Sequence, residues 1–283
     1  MKASKKTTRD QTKVRQHDWR FVLAMLLVSS GAFFDPAAAQ NSATQQPSAT
    51  IDPKVTTILR AACDKLSAAK SMSFTAVDTY ERAARNGQPL YYTVLNQVTL
   101  QRPDKLRVIK IGDGIPDEFY YDGKIMTAYV PSTDLIAVAE APPTIDLMLD
   151  AAWHVGAIYF PFGDVIVSKP CAVFDKLVSA FYVGQSVVVG GTKTDMVAVA
   201  AAGIQAELWI GVEDRLPRMI RVNYTDEPAQ AHYQTEYSDW KLDASLDAAV
   251  FRSTRLTAAK RIGFVPPGAA PPPRGSPGST KQP

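Results

Sequence analysis

Apolar and polar positions alternate with a period of two through most of residues 72–242, and the alternation breaks at short joints of turn-forming residues. That pattern predicts β-strands with one face turned to a core. Eleven strands are predicted, near 72–83, 88–101, 105–112, 117–121, 124–130, 134–139, 185–191, 195–201, 205–211, 217–224 and 231–242. On the second, Leu90, Tyr92, Val94, Val98 and Leu100 share a face, with Gln97, Thr99 and Gln101 opposite. Further on, Ala206, Leu208, Ile210 and Val212 alternate with Glu207 and Trp209, and the return strand aligns Ile220, Val222 and Tyr224. Asn86-Gly87, Asp122-Gly123, Gly190-Gly191 and the run Asp214 to Pro217 are the chemistry of tight turns. Consecutive strands with short joints predict an antiparallel meander rather than alternating parallel units.

Helical spacing replaces this period in three places. Asp52-Pro53 is a helix start, and Val55, Ile58, Leu59, Ala62 and Leu66 follow at helical intervals. Residues 140–184 interrupt the meander. In "APPTIDLMLDAAWHVGAIYF", Thr144 is an N-cap candidate, and Ile145, Leu147, Met148, Leu149 and Trp153 surround almost the whole helix. Such a helix is deeply buried or covers an apolar surface, so 144–158 is expected to be a lid. "KPCAVFDKLVSAFY" predicts a second helix with Phe174, Leu177, Val178 and Phe181 along one side.

The ends have a different character. Seven basic residues within 1–20, the apolar run "FVLAMLLV" and the small-residue stretch "PAAAQN" predict a secretory signal peptide over 1–39, cleaved after Ala39. The alternative is an uncleaved anchor, but even extended to Phe34 the apolar segment has 14 residues, short of the roughly 20 that span a bilayer. Removing 1–39 takes seven of 31 basic and three of 28 acidic residues, leaving 24 and 25, so the chain's +3 charge belongs to the leader. No basic patch remains to favour nucleic acid or an anionic membrane. Residues 40–52 read as a polar linker, 53–256 as the folded domain, and 257–283 as a disordered Pro/Gly-rich tail. Export favours a bridge between the remaining cysteines, Cys63 and Cys171; two separately buried thiols are the other reading.

Catalytic chemistry is sparse. His154 and His232 are far apart and lack metal-ligand partners at useful spacing. "VGQSVVVG" fails the Gly-x-Ser-x-Gly spacing, and there is no phosphate-cradling loop. The acids of "DGIPDEF" and "VNYTDEP" read as solvated turns. The chain is therefore expected to be no enzyme, with no catalytic residue, metal or cofactor.

A leading helix, an incomplete antiparallel barrel, two inserted helices and returning strands resemble the periplasmic lipoprotein-carrier superfamily, which includes LolA, LolB and LppX-type proteins. "LQRPDKLRVIK" is similar to its Arg-Pro strand pair, "YYDGKIMTAYVPSTDLIAVA" to its Asp-Gly-Lys hairpin, and "ELWIGVEDRLPRMIRVNY" to its late Leu-Pro hairpin. "LDAAVF" sits where that fold ends. The nearest branch is a family of predicted periplasmic proteins of unknown function, the 2092 family. The resemblance implies an α+β fold, a LolA-like half-open antiparallel β-barrel of about 11 strands covered by helices. It also implies a periplasmic protein that binds a lipid or lipidated molecule in an apolar cavity, with transient contact with the membrane. The expected wall is Leu90, Tyr92, Met126, Leu208, Ile210, Ile220 and Val222, with Leu147, Met148 and Trp153 on the lid. The alternatives are a barrel filled by its own side chains, and a non-catalytic envelope scaffold or sensor that binds a protein partner.

Overall fold

The computed structural model describes residues 50–226 and 232–266. The expected signal peptide, most of the linker and the end of the tail lie outside them.

The chain enters through α1 (Pro53–Ala68). Asp52 caps it, its Oδ1 accepting from the Lys54 N–H at 2.8 Å, with Pro53 pre-set at the first helical position. Val55, Ile58, Leu59, Ala62, Cys63 and Leu66 form its buried stripe.

A first meander follows: β1 (Ser71–Ala83), β2 (Pro89–Gln101), β3 (Lys105–Gly112), β4 (Asp117–Tyr121), β5 (Ile125–Val130) and β6 (Leu135–Glu140). After an insertion comes a second: β7 (Ser179–Ser186), β8 (Thr194–Ala201), β9 (Ile204–Gly211), β10 (Pro217–Tyr224) and β11 (His232–Leu242). Pairing of β1 with β11 joins the two, and β12 (Lys260–Ile262) adds to β6 in parallel. The result is one 12-stranded open sheet, ordered β12-β6-β5-β4-β3-β2-β1-β11-β10-β9-β8-β7. Its end strands, β12 and β7, do not pair with each other, so the sheet is not a closed barrel.

The insertion carries α2 (Ile145–Gly156), α3 (Gly163–Ile166) and a 3-10 turn at Pro170–Lys176. Thr144 caps α2 by accepting from the Leu147 N–H at 3.3 Å. Cys63 and Cys171 are joined by a disulfide, their Cα atoms 5.5 Å apart, tying α1 to that turn.

Two expectations are corrected here. Residues 179–182 lie in strand β7, where a helix was expected, and Val189–Gly191 is a 3-10 turn within the expected strand 185–191. The helical spacing of Phe174, Leu177, Val178 and Phe181 is a coincidence of two elements. Backbone pairing with β8 fixes the second of them, and its aromatic and β-branched residues suit a strand. Residues 260–262, expected in a disordered tail, are held by three register pairs to β6. A three-residue strand is too short to leave a period in the sequence.

One face of the sheet, the inner face, carries two apolar cores. The larger gathers Met72, Phe74, Leu100, Leu106, Val108, Phe119, Tyr121 and Met126 under the insertion. The smaller packs Val197, Val199, Leu208 and Ile210 against α1.

Candidate functional site

The ten expected site residues do not form one wall. Met126 and Met148 are sunk in the larger core and Leu208 and Ile210 in the smaller, with Ile220 packing against both. Leu147 is 54% exposed and Leu90 38%, while Trp153 is partly buried. On α2 Met148 is fully buried while its neighbour Leu147 turns outward. The buried face of α2 is Ile145, Met148 and Ala152.

The space behind α2 is filled. Phe160 and Phe162, which follow the helix, pack into the larger core against the inner face of the sheet. Phe119 and Phe160 centroids are 5.0 Å apart, Phe160 and Phe162 5.9 Å, and Phe162 and Phe74 5.9 Å. This aromatic chain occupies the volume in which a cavity was expected, and that expectation is corrected. The sequence reading gave α2 a lid's role without assigning a place to the two phenylalanines after it.

Two hollows lie elsewhere among the described residues. One beside Tyr120 and Phe251 has about 10 Å³. A groove of about 340 Å³ at the start of α1 is lined by Lys54, Thr57, Ile58, Ala61, Asp195 and Arg215. Its buried carboxylate is already held: Asp195 accepts from Tyr182 at 3.0 Å and Gln185 at 3.2 Å, with Arg215 3.5 Å away.

The chemistry on the inner face lies where the larger core stops. Along β1 the inward positions run Met72, Phe74, Ala76, Asp78, Tyr80, so an acid occupies a core phase. Asp78 is 1% exposed. Asn96 Nδ2 donates to its Oδ2 and Thr235 Oγ1 to its Oδ1, both at 2.6 Å. Burial pushes the Asp78 carboxyl up, outweighing these donors. The Tyr233 phenol is buried beside Asp78 and Thr235, and it is raised by burial first and then by Asp78. The next row is more open: Tyr80 stacks on Tyr92 with centroids 5.6 Å apart, and Tyr80, Tyr233 and Val222 are in register across β1, β11 and β10.

The insertion reaches over these rows. Tyr159 interacts with Tyr224 of β10, and its phenol is raised by burial first, then by Tyr224, Asp164 and Asp78. Asp164 is raised by burial alone. Both nevertheless present open surface, 52% for Tyr159. Tyr237, buried beneath, is raised by burial first and then by Asp78 and Asp164. Neither carboxyl is in an ion pair among the described residues, where the nearby inner-face cation Lys110 is paired with Asp117.

Of the expected residues, the structure brings Tyr92 and Val222 into these rows. Asp78, Asn96, Tyr159, Asp164, Tyr224, Tyr233, Thr235 and Tyr237 were missed. The signal for Asp78 was present, since a charged residue in the phase of Met72, Phe74 and Ala76 must find partners inside. No local signal pointed to Tyr159 or Asp164, which arrive from the insertion. Among the described residues no helix is long and apolar enough to cross a membrane, and no three acids, histidines or cysteines are grouped to hold a metal.

No curated protein matches the chain. Among solved structures it is similar to the MucA/MucB complex of Pseudomonas aeruginosa, at 16% identity over 71% of this chain and 61% of that one, with a TM-score of 0.40. It is similar to LprF from Mycobacterium bovis at 14% identity, over 68% of this chain and 94% of that one, with a TM-score of 0.39. A LolA superfamily protein from Nitrosomonas europaea gives 11% identity, over 70% and 97%, with a TM-score of 0.32. The chain covers less than two thirds of the MucB chain's length. Residues 56–265 match the model of the family described as predicted periplasmic protein (DUF2092), and the chain belongs to that family.

Proposed function

We propose that this protein is a non-catalytic periplasmic binding protein, exported by a signal peptide over 1–39, that takes an amphiphile at the cleft between the insertion and strands β1, β2, β10 and β11. One observation carries this reading: the inner face is packed beneath α2, but beside the buried polar cluster the stacked Tyr80 and Tyr92 are only half-buried and Tyr159 is exposed. An apolar wall with a few convergent polar groups is the usual make-up of a small-molecule site. Leu90, Tyr92 and Val222 offer the wall, and the Tyr159–Tyr224 pair offers the polar end.

The filled core changes the expected cargo. A long acyl chain cannot run behind α2, so only part of it is shielded. Covering six methylenes contributes roughly 5 kcal/mol at about 0.8 kcal/mol each, which suits loose, exchangeable binding. The test is native mass spectrometry of protein purified without detergent, combined with displacement of a fluorescent fatty-acid probe. Co-purified amphiphile and competitive displacement are expected; finding neither would overturn the reading.

A second reading rests on a different observation. The outward side chains of edge strand β7 include Phe181 and Val183, both exposed, continued by Val187 and Val188. Thr50 and Asp52 already bond the backbone of Ala180, and beyond it the edge of β7 is where a partner's strand adds. A protein partner there is compatible with ligand binding on the other face.

A further inference from the structure

We propose that the groove at the start of α1 is a second, separate binding site, and that it takes a small organic carboxylate: an apolar body ending in one negative charge. The proposal does not depend on the amphiphile reading, because this groove is built on α1, β8 and the turn between β9 and β10.

Its wall follows from helical spacing. Lys54, Thr57, Ile58 and Ala61 stand at i, i+3, i+4 and i+7, so one face of α1 lines the groove without a break. Asp195 of β8 and Arg215 of the turn complete the lining. The volume of about 340 Å³ falls at the lower end of small-molecule sites, roughly 300–1,000 Å³. The helix side is largely apolar. Ile58 belongs to the smaller core, Ala61 adds only a methyl, and the Thr57 hydroxyl is spent on the Pro53 carbonyl at 2.9 Å.

Charge decides the ligand. Asp195 is the lining's one acid, 7% exposed, and its needs are met inside the protein. Its Oδ1 accepts from Tyr182 and Gln185, and its Oδ2 lies 3.5 Å from Arg215 Nη1. Two cations stand against it. Lys54 is in no ion pair among the described residues, and its ammonium rests 3.1 Å from the Tyr182 ring centroid. Asp52, next but one in sequence, uses its Oδ1 to cap the helix at the Lys54 N–H. Asp214, beside Arg215, is paired with Arg218. The lining therefore carries one positive charge more than it balances, the complement of a monoanion.

The two cations are also held in place. Tyr182 takes Lys54 on its ring face and donates its hydroxyl to Asp195, and Asp195 draws in Arg215. Four side chains thus form one series from the helix to the turn. Arg215 meets Asp195 at ion-pair distance, outside hydrogen-bond geometry, which leaves its planar fork of donors for a second carboxylate. The ligand's body lies along Ile58 and Ala61, with its carboxylate between Lys54 and Arg215.

The test is titration of the full chain with benzoate, benzyl alcohol and benzyltrimethylammonium, three probes with the same ring and different charge, followed by NMR. Benzoate is expected to bind at least about tenfold tighter than the other two, the scale set by hydrogen bonds to charged groups. Lys54→Gln and Arg215→Gln should each weaken benzoate by about fivefold or more and leave benzyl alcohol unchanged. Ala61→Leu, which fills the groove, should abolish benzoate binding at an unchanged far-ultraviolet spectrum. Should that variant not fold, the loss in Lys54→Gln at an unchanged melting temperature carries the same decision. Equal affinity for the three probes would overturn the carboxylate assignment. Binding of none would overturn the site itself. Benzoate binding undiminished in Lys54→Gln and Arg215→Gln would overturn its assignment to this groove.

Discussion

Asp78 and Asn96 stand on adjacent strands at inward positions one step apart, Asp78 opposite Val94 and Asn96 opposite Ala76, joined diagonally by a 2.6 Å hydrogen bond. With Thr235 closing from the other side, they form a buried polar seam across three strands at the boundary of the larger core. Asp78→Ala would leave the Asn96 amide and the Thr235 hydroxyl buried without their acceptor. A loss of roughly 2–4 kcal/mol is expected, read as a lower urea midpoint at unchanged slope. A loss under about 0.5 kcal/mol would mean the seam is not closed.

The same carboxyl predicts a pH dependence. Its folded value is raised, by burial first, in surroundings that also hold Tyr233, Tyr159, Asp164 and Tyr237. A raised carboxyl contributes stability that is complete below its unfolded value, about 3.9, and is lost as pH rises through the folded value. Wild type should therefore gain melting temperature relative to Asp78→Asn as pH is lowered from 7 toward 4. Parallel curves for the two proteins would contradict the burial of this group.

Phe162 and Leu147 make opposite predictions from one insertion. Phe162 is fully buried, edge-on to Phe74 and packed on Phe160. Phe162→Ala should cost about 3–5 kcal/mol. Leu147, on the outer side of α2, should tolerate alanine within about 0.5 kcal/mol. The reverse ranking in chemical denaturation would mean that α2 is rotated and the space behind it is open.

The bridge between Cys63 and Cys171 closes a sequence separation of 108 residues. Replacing both cysteines with serine should lower stability by about 2–5 kcal/mol, mostly through the freed unfolded chain. Wild type in reductant should lose a similar amount, and the double variant should not respond to reductant. A reductant effect on the double variant would assign the loss to something else.

At the hairpin between β4 and β5, Asp122 accepts from the Lys124 and Ile125 N–H groups, each at 3.0 Å, and from Arg252 Nε at 2.9 Å. Partial burial pushes this carboxyl up, but the three donors together hold it below the usual range. Its contribution is present above about pH 3.9 and is lost as pH falls through the depressed folded value. Because Arg252 is largely exposed, Arg252→Ala should cost no more than about 1 kcal/mol. Asp122→Ala should cost more, since it also removes the turn's acceptor. Equal losses would show that the ion pair, not the turn, is what matters there.

The meanders were legible because their strands have a period and their turns a chemistry. Gly123, after Asp122, takes φ 95° as the hairpin requires. The caps at Asp52 and Thr144 also lay where sequence placed them. What the sequence could not reveal was three-dimensional volume. The stripe on α2 looked like a lid until Phe160 and Phe162 occupied the space beneath it. Residues 170–182 misled because a 3-10 turn followed by an edge strand happens to space its apolar side chains like a helix. The polar cleft was half legible: Asp78 declares itself by phase, but Tyr159 and Asp164 belong to it only through tertiary reach.

The parallel pairing of β12 with β6 has a consequence for synthesis and handling. Until residues 260–262 dock, β6 presents a bare ladder of donors and acceptors to any neighbouring chain. A chain truncated at 259 should therefore self-associate through β6 even though both meanders are intact. Residues 260–262 would then act as a guard against aggregation.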